Sequence, residues 1–408
     1  MKSRRVIIVG GGASGLVAAI SAARNGTNVT IIEQKDRIGK KILSTGNGRC
    51  NLTNEYMDVQ CFRGDDTTIV ANVLEKFGYQ ETISFFEELG VILKNRQGYI
   101  YPISDQATTI LDVLRMEIAN LHVEVIVEER VDTIDKTKKG FSVRTNNKVY
   151  RSDVVILATG GKAASVLGSD GSGYHLAKAF GHSISSVVPA LVQLRAKGSF
   201  FKQLAGIRTN ANVSLFVNGN LEASDEGELQ LTNYGISGIP VFQISRFAGK
   251  ALQRKKEVTV EVDFLPAFTD EKLTEFFIQR NNLHGMKTAE DFLIGMLNKK
   301  LIPVILKESG IPCSKIYKEL TEKQKSSLVQ TIKHFHIEIE ATNDFEQAQV
   351  CAGGVRTTEV NHETLESLYV EGLYLTGELL DVDGICGGYN LQWAWATGYL
   401  AGLHAAKG

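Results

Sequence analysis

Cysteine, proline and long apolar runs are all scarce in this 408-residue chain. The five cysteines are Cys50, Cys61, Cys313, Cys351 and Cys386, and the absence of any C-x-x-C pair argues against a zinc site or a dithiol redox motif. Free thiols in a reducing cytoplasm are the simplest explanation, so we predict a cytoplasmic protein without a bound metal. The chain has no run of about 18 apolar residues, so we expect no membrane span.

Neither positive nor negative charge predominates in the chain. The formal net charge is −1, from 45 basic and 46 acidic residues, so no overall attraction to nucleic acid or to an acidic membrane is indicated. The N-terminal letters MKSRRVIIVGGG do not form a signal peptide, because their apolar run is short and passes directly into a glycine turn. By contrast, the chain contains 39 glycines against six prolines, a balance that suits close contacts between backbone and ligand.

The strongest signal is the N-terminal stretch RRVIIVGGGASGLVAAISAARNGTNVTIIEQK. Its apolar run at Arg5–Val9 predicts a parallel strand that is buried on both faces. The turn that follows fits G-x-G-x-x-G: Gly10 permits the tight turn, Gly12 lets a pyrophosphate approach the backbone, and Gly15 lets the helix pack on the strand. A helix over about Ser14–Asn25 would then direct its free N–H groups at the phosphates.

The second strand of this unit, predicted at Asn28–Ile32, ends in an acid. Glu33 lies about 20 residues past the turn, where a carboxylate accepts hydrogen bonds from a ribose. A negative side chain here also disfavours a 2′-phosphate on that ribose, since like charges would repel. Because strand, turn, helix, strand and acid all fall in register, we predict a dinucleotide site for FAD rather than a purely structural turn.

A glycine-rich loop follows the ribose acid at residues 39–54, GKKILSTGNGRCNLTN. Its small polar side chains and flexible backbone would wrap a pyrophosphate and the edge of a flavin ring; a solvated loop is the alternative interpretation. Arg49, Cys50 and Asn51 are the catalytic candidates in this loop, and Arg49 is the best of them for holding an anionic substrate or a flavin oxygen. Arg49 could also lower the pKa of the Cys50 thiol, unless that thiol is simply buried.

Two later segments repeat the pattern of a buried strand that ends in small residues. Val154–Leu157 is followed by Ala158, Thr159 and Gly160, which allow the chain to approach a cofactor at the carboxyl end of a sheet. Leu373–Leu375 is likewise followed by the letters TGE, whose acid could hold a ribityl hydroxyl.

The last glycine loop, DGICGGYNLQWAWA, enters the C-terminal helix. The helix N–H groups at Gly388–Leu391 would face the pyrimidine end of a flavin, and the helix dipole would stabilise the anionic reduced ring. Composition differs in the middle of the chain, where strands dominate up to residue 268 and helices rich in Lys and Glu cover residues 269–334. There, Thr232–Gly238 is interpreted as a polar loop entering a helix, with Tyr234 as a further catalytic candidate.

Six motifs together show a resemblance to the BaiN-like bacterial flavoproteins, which are NAD(P)/FAD-dependent oxidoreductases similar to glutathione-reductase-type FAD proteins. The motifs are, in order, GGGASGL, GKKILSTGNGRCNLTN, ATGG, CAGGV, TGE and GGYNLQWAWATG. The resemblance covers essentially the whole chain and implies an α/β fold. A Rossmann-like FAD/NAD(P)-binding domain at 1–189 and 346–408 would be interrupted by a β-barrel-like domain at 190–268 and 335–345 and by a small helical insert at 269–334.

The resemblance also implies a set of FAD contacts at the glycine turns, the strand ends and the polar loop. They are Gly10, Gly12, Ala13, Ser14, Gly15, Glu33, Gln34, Lys35, Lys41, Thr45, Gly46, Gly48, Arg49, Asn51, Val131, Ala158, Thr159, Gly160, Gly377, Glu378, Asn390 and Leu391. Among these, Val131 would contact the adenine through its backbone.

The implied activity is hydride transfer between FAD and a small organic substrate, by reduction of a steroid-type enone or by oxidation of an amine. NAD(P)H would bind at most transiently, because the chain has one convincing G-x-G-x-x-G unit and the glycines at 168–181 lack a following strand and acid. Two alternatives come from other classes. A flavin-containing RNA-modifying protein has the basic cluster KALQRKK in its favour and the near-zero net charge against it. The other is a flavin redox sensor without catalytic activity.

Overall fold

A computed structural model describes residues 3–407 and divides them into two compact units. One unit comprises the residues up to 188 together with those from 348 onward, and the other comprises residues 189–347. The finer division of the second unit into a β domain and a helical insert stays a prediction, since its barrel and helices share one apolar core.

Both units combine strands with α-helices. The strands are β1 Arg5–Val9, β2 Asn28–Ile32, β3 Thr53–Asn54, β4 Phe62–Arg63, β5 Leu93–Arg96, β6 Tyr99–Pro102, β7 Glu124–Ile126, β8 Val131–Thr137, β9 Gly140–Thr145, β10 Val149–Ser152, β11 Val154–Leu157, β12 Val188–Ala190, β13 Leu194–Ala196, β14 Arg208–Val217, β15 Asn220–Leu231, β16 Gly235–Gly238, β17 Val258–Asp263, β18 Phe335–Thr342, β19 Val350–Ala352, β20 Leu373–Leu375 and β21 Asp383–Gly384. The α-helices are α1 Ala13–Arg24, α2 Thr68–Lys76, α3 Tyr79–Glu88, α4 Ala107–Asn120, α5 Ser172–Ala179, α6 Phe201–Leu204, α7 Ile239–Gln253, α8 Asp270–His284, α9 Ala289–Leu293, α10 Ile302–Glu308, α11 Glu322–Lys333 and α12 Tyr389–Lys407.

The first unit is organised around a five-stranded parallel sheet with the order β20-β11-β1-β2-β7. All four residues of β11 and all three residues of β20 are buried, as expected for short apolar strands that are covered on both faces. This arrangement confirms the Rossmann-like α/β fold. The carboxyl ends of β1, β11 and β20 lie at one edge of the sheet, where such folds bind nucleotides.

The first and last helices touch backbone to backbone beside this sheet. A Cβ atom on Gly398 of α12 would lie 2.3 Å from the carbonyl oxygen of Ser14, and one on Gly402 would lie 2.3 Å from that of Ala18. The Ser21 hydroxyl also donates to the carbonyl oxygen of Tyr399 at 2.8 Å. Only glycine permits this approach, which holds the start of α1 against α12.

Three antiparallel sheets lie within the first unit, with the orders β10-β9-β8, β3-β6-β5 and β21-β4. Strand β3 of the second sheet comprises Thr53 and Asn54, the last two residues of the segment 39–54 that the sequence predicts as a loop. None of the helices within residues 3–407 is long and apolar enough to cross a membrane.

The second unit contains a closed barrel with the order β13-β16-β15-β14-β17-β18, which confirms the predicted barrel-like insert. One local prediction was wrong. The segment Thr232–Gly238, interpreted as a polar loop, contains β16, which closes the barrel by pairing Ile236 with both Leu194 and Leu231.

Helices α8 to α11 pack beside this barrel in the same unit. The rings of Phe292 and Tyr317 stack at 3.5 Å between centroids, and Phe277 meets Tyr317 edge to face. Thr321 caps α11 by accepting a hydrogen bond from the Gln324 N–H at 3.2 Å. These contacts extend the apolar core of the barrel through the helices.

Candidate active site

The glycine turn between β1 and α1 combines tight packing with one open position. A Cβ atom on Gly10 would lie 2.4 Å from the carbonyl oxygen of Ala158, and one on Gly15 would lie 2.0 Å from that of Gly10. At Gly12, by contrast, no atom lies within 4 Å of the Cβ position, and no side chain caps α1. The first N–H groups of α1 therefore face open space, as an anion-binding turn requires.

Glu33 is fixed at the end of β2 beside this turn. Its carboxylate accepts the Gly11 N–H at 2.8 Å and the Lys35 N–H at 2.9 Å, and the residue is 8% exposed. Burial raises the pKa of Glu33, and the backbone N–H groups partly oppose that shift. Each carboxylate oxygen can accept a second hydrogen bond, so the geometry is compatible with the predicted ribose contact.

Lys41, Cys351 and Glu378 come together although they are far apart in sequence. The Lys41 ammonium lies 2.9 Å from one carboxylate oxygen of Glu378, and the other oxygen accepts the Cys351 N–H at 2.7 Å. Burial, followed by the Glu378 charge, raises the pKa of the Cys351 thiol to about 12. Both oxygens of Glu378 thus have partners within the chain, and its predicted ribityl contact stays a prediction.

Seven buried polar side-chain atoms in this unit have no partner within the described chain. Three of them, Asn51 Oδ1, the Tyr174 hydroxyl and Asp381 Oδ1, belong to segments near the glycine loops, and the other four belong to Arg4, Asp105, Tyr150 and Ser152. The Tyr174 hydroxyl would lie 3.1 Å from a Cβ atom on Gly161, and burial is the main reason that its pKa is raised. Buried polar groups are nearly always hydrogen-bonded, so such atoms indicate where a ligand supplies the missing partner.

Sequence reasoning identified Asn51 but missed Tyr174 and Asp381. Both stand in glycine-containing stretches, GSGYHL and ELLDVDG, in which the glycines and Glu378 are the more prominent features. The only sequence signal is a polar side chain next to such glycines.

The polar loop forms 3-10 turns over Lys40–Gly48 that are interrupted at Thr45–Asn47. Asn47 and Cys50 both adopt left-handed backbone conformations, with φ of 54° and 58°, which are unusual for residues other than glycine. Arg49 is exposed, whereas Cys50 is buried, and burial raises the pKa of its thiol to about 12. The lowering of this pKa by Arg49 that the sequence suggested is therefore not found, and Cys50 is a buried, protonated thiol.

The start of α12 is locked against β3, directly after this loop. The Gln392 side-chain oxygen accepts hydrogen bonds from the Thr53 and Thr82 hydroxyls at 2.7 and 2.8 Å. The Asn390 side chain binds both the N–H and the carbonyl oxygen of Gly384 at 2.8 Å, so it braces the loop before the helix. Gly388, in the segment predicted to face a flavin, also lies against β3, because a Cβ atom there would lie 2.8 Å from the backbone of Thr53.

The other predicted contacts lie around the same sheet edge. Gln34 donates to the carbonyl oxygen of Gly168 at 2.6 Å, which ties the segment after Gly160 to the end of β2. A Cβ atom on Gly377 would lie 2.7 Å from the Ser14 hydroxyl.

Val131 at the start of β8 follows Glu129, whose N–H binds the carbonyl oxygen of Glu33 at 3.0 Å. Tyr234 belongs to the second unit, where its hydroxyl accepts from the Asn343 amide at 2.9 Å.

The parallel sheet, the open glycine turn and the buried acid beside it define a Rossmann-type domain of the class that binds dinucleotides. The chain belongs to the family described as HI0933-like protein Rossmann domain, whose model matches residues 4–404.

Comparison with known proteins confirms the resemblance to BaiN-like flavoproteins. The chain is 53% identical over 405 residues to the 3-dehydro-bile acid delta(4,6)-reductase of Clostridium scindens, covering 99% of each chain. It is 29% identical over 408 residues to the ribosomal RNA dihydrouridine synthase of Haemophilus influenzae, covering 98% of each. The structure of 3-ketosteroid-delta4-(5alpha)-dehydrogenase from Rhodococcus jostii RHA1 superposes with a TM-score of 0.52 at 15% identity. The match covers 99% of this chain and 97% of the dehydrogenase chain. That likeness concerns the fold alone.

Proposed function

We propose that the protein uses FAD to reduce a carbon–carbon double bond conjugated with a carbonyl group in a small, steroid-like molecule. The observation that carries this proposal is the 53% identity, over nearly the full length, to a 3-dehydro-bile acid delta(4,6)-reductase. A 3-oxo steroid with double bonds at positions 4 and 6 is a conjugated ketone, so the substrate class follows from that chemistry.

The residues around the sheet edge fit FAD. Glu33 would accept hydrogen bonds from the adenosine ribose, and the open N–H groups after Gly12 would bind the pyrophosphate. Asn51 Oδ1 is a buried acceptor without a partner, and the pyrimidine end of a flavin carries an N–H group that would satisfy it.

Saturation of one double bond consumes one hydride and one proton, and the bound flavin would supply the hydride. The chain contributes position and electrostatics. The N–H groups in the first turn of α12 would stabilise negative charge that develops beside them, and Arg49 would hold an anionic group of the substrate. Cys50 does not contribute a thiolate, because its pKa is about 12.

We further propose that the electrons come from NAD(P)H bound transiently, and that the protein is cytoplasmic. The five cysteines are all free thiols, which suits a reducing compartment. Anaerobic mixing of the yellow protein with NADH and with NADPH, followed by flavin absorbance, tests the donor. Bleaching by either nucleotide supports it, and an unchanged spectrum with both excludes it.

The experiment that tests the function is a turnover screen of the purified, flavin-loaded protein. We expect a 3-oxo-4,6-diene steroid to gain two hydrogens, as measured by mass spectrometry. Small amines such as aminoacetone are the comparison. Oxygen-dependent amine turnover without any enone reduction would replace the proposal with an amine oxidase.

A second candidate is reduction of uridine in ribosomal RNA, favoured by the 29% identity to a dihydrouridine synthase. The uracil ring also contains a double bond conjugated with a carbonyl group, so the same chemistry would serve both substrates. The net charge of −1 weighs against RNA. Dihydrouridine formed in isolated ribosomal RNA, together with weaker retention at higher salt, would establish this candidate instead.

A further inference from the structure

One face of the β5–β6 hairpin carries two tyrosines on β6 and two cationic side chains on β5. The register pairs Tyr99 with Arg96 and Tyr101 with Lys94, and paired residues share a face. Ile100 lies between the two tyrosines, points to the opposite face and is 4% exposed, whereas Tyr99 is 42% exposed. The Tyr99 ring is therefore available at the surface of the hairpin, whereas Tyr101 is partly buried.

This face lies against both glycine segments that would border the flavin. A Cβ atom on Gly46 would lie 3.7 Å from the Tyr101 ring, and one on Gly387 would lie 3.1 Å from the Tyr99 ring. Strand β6 also pairs with β3, where Tyr99 lies opposite Asn54, and the Asn54 amide donates to the carbonyl oxygen of Gly387 at 3.1 Å. The tyrosines thus continue the surface of the candidate cofactor site.

The outer edge of the hairpin carries excess positive charge. Asp105 accepts hydrogen bonds from Lys94 at 2.6 Å and from Arg96 at 2.7 Å, and Arg49 is close enough to help lower the pKa of Asp105. The Arg96 guanidinium lies 5.7 Å from the centre of the Tyr101 ring. On this face, the three cations Lys94, Arg96 and Arg49 therefore surround one carboxylate, that of Asp105, which leaves positive charge for an anionic ligand group.

We propose that this hairpin face is a substrate platform for a flat, apolar, fused-ring carboxylic acid. The rings lie over Tyr99 and Tyr101, and the carboxylate binds Arg96 and Arg49. This inference rests on the proposed function, because it places the reacting end of the substrate at the Gly387 loop. Strands β3 and β5 are two strand spacings apart, roughly 10 Å, which a fused ring system can span.

The chemistry of the face matches such a ligand. Tyrosine rings supply large flat contact areas for apolar rings and lose little conformational freedom on binding. Arginine binds carboxylates through paired, charge-assisted hydrogen bonds. A neutral ring system would gain the contact with the tyrosine rings but not the hydrogen bonds to arginine. The platform therefore distinguishes ring acids from otherwise equal neutral compounds.

The test compares two 3-oxo-4,6-diene steroids, one with a side-chain carboxylate and one without. We expect Arg96→Gln to raise KM for the acid about tenfold, with kcat and the KM of the neutral steroid unchanged. Tyr99→Leu should raise KM for both compounds, and Tyr99→Phe should restore it. Arg208→Gln is the matched control, because Arg208 forms an exposed pair with Glu228 at 3.1 Å on another hairpin.

Equal KM changes for the acid and the neutral steroid in Arg96→Gln, or no change, would overturn the platform. If Arg96→Gln loses its flavin or its fold, Arg96→Lys takes its place, since it retains the charge beside Asp105. If the yellow wild-type protein reduces neither steroid, the proposed function fails. Equilibrium dialysis with the steroid acid then tests the platform directly: weaker retention by the variant supports it, and equal or absent retention overturns it.

Discussion

Asn51 offers the sharpest test of the candidate flavin site, because its buried side-chain oxygen has no partner within the described chain. In the apoprotein such an unpaired acceptor costs about 1–3 kcal/mol. Asn51→Ala removes that cost, and the small cavity that it leaves costs about 1 kcal/mol. We therefore expect the free energy of unfolding of the apoprotein to stay the same or to rise.

By contrast, FAD should bind more weakly to Asn51→Ala than to the wild type. The variant loses one hydrogen bond to the flavin, worth about 1.5 kcal/mol, which corresponds to roughly tenfold weaker binding. Apoprotein stability is measured by denaturant unfolding and FAD affinity by fluorescence titration. Asn54→Ala is the control, because both Asn54 side-chain atoms are paired, with Gly387 and with Tyr56, so this variant should destabilise the apoprotein. An Asn51→Ala apoprotein that is clearly less stable, with unchanged FAD affinity, would refute the reasoning.

Three further predictions concern the turn, the loop thiol and a buried histidine. Gly15→Ala places a Cβ atom 2.0 Å from the Gly10 carbonyl oxygen, so FAD should bind about 10–100-fold more weakly in a titration. Cys50→Ser should retain turnover, and the wild-type pH–rate profile should show no thiol ionisation near pH 8.5, because the Cys50 pKa is about 12. Burial lowers the pKa of His182, which contacts Glu359, so the unfolded chain binds a proton first as pH falls below about 6.5. When the pH is lowered from about 7.5 to about 5.5, the melting temperature should therefore fall further for the wild type than for His182→Gln. Equal decreases for the two proteins would contradict this.

The parallel sheet could be predicted because its signals are local. The strands at Arg5–Val9, Val154–Leu157 and Leu373–Leu375 are short apolar runs that end in small residues, and the structure places them within the same bounds. The barrel was harder to predict. Strand β15 runs over Asn220–Leu231 and is largely polar, and β16 contains glycines that read locally as a loop. Their strand conformation depends on pairing with neighbours in the closed barrel.

The candidate site shows a similar limit. Spacing alone predicts that Glu33 lies beside the turn that contains Gly10 and Gly15, because all three belong to one continuous motif. The pairing of Lys41 with Glu378 joins segments that are 337 residues apart, and no local pattern encodes it. Burial decided the state of Cys50, since the exposed Arg49 beside it could not offset the loss of solvation.

The glycine contacts between α1 and α12 also bear on how the chain is made. The surface of α1 that Gly398 and Gly402 cover stays exposed until the ribosome has synthesised α12. The barrel, whose strands all lie within residues 189–347, can form before that surface is covered. Removal of the helical turns that carry Gly398 and Gly402 would therefore disturb the glycine turn that precedes α1.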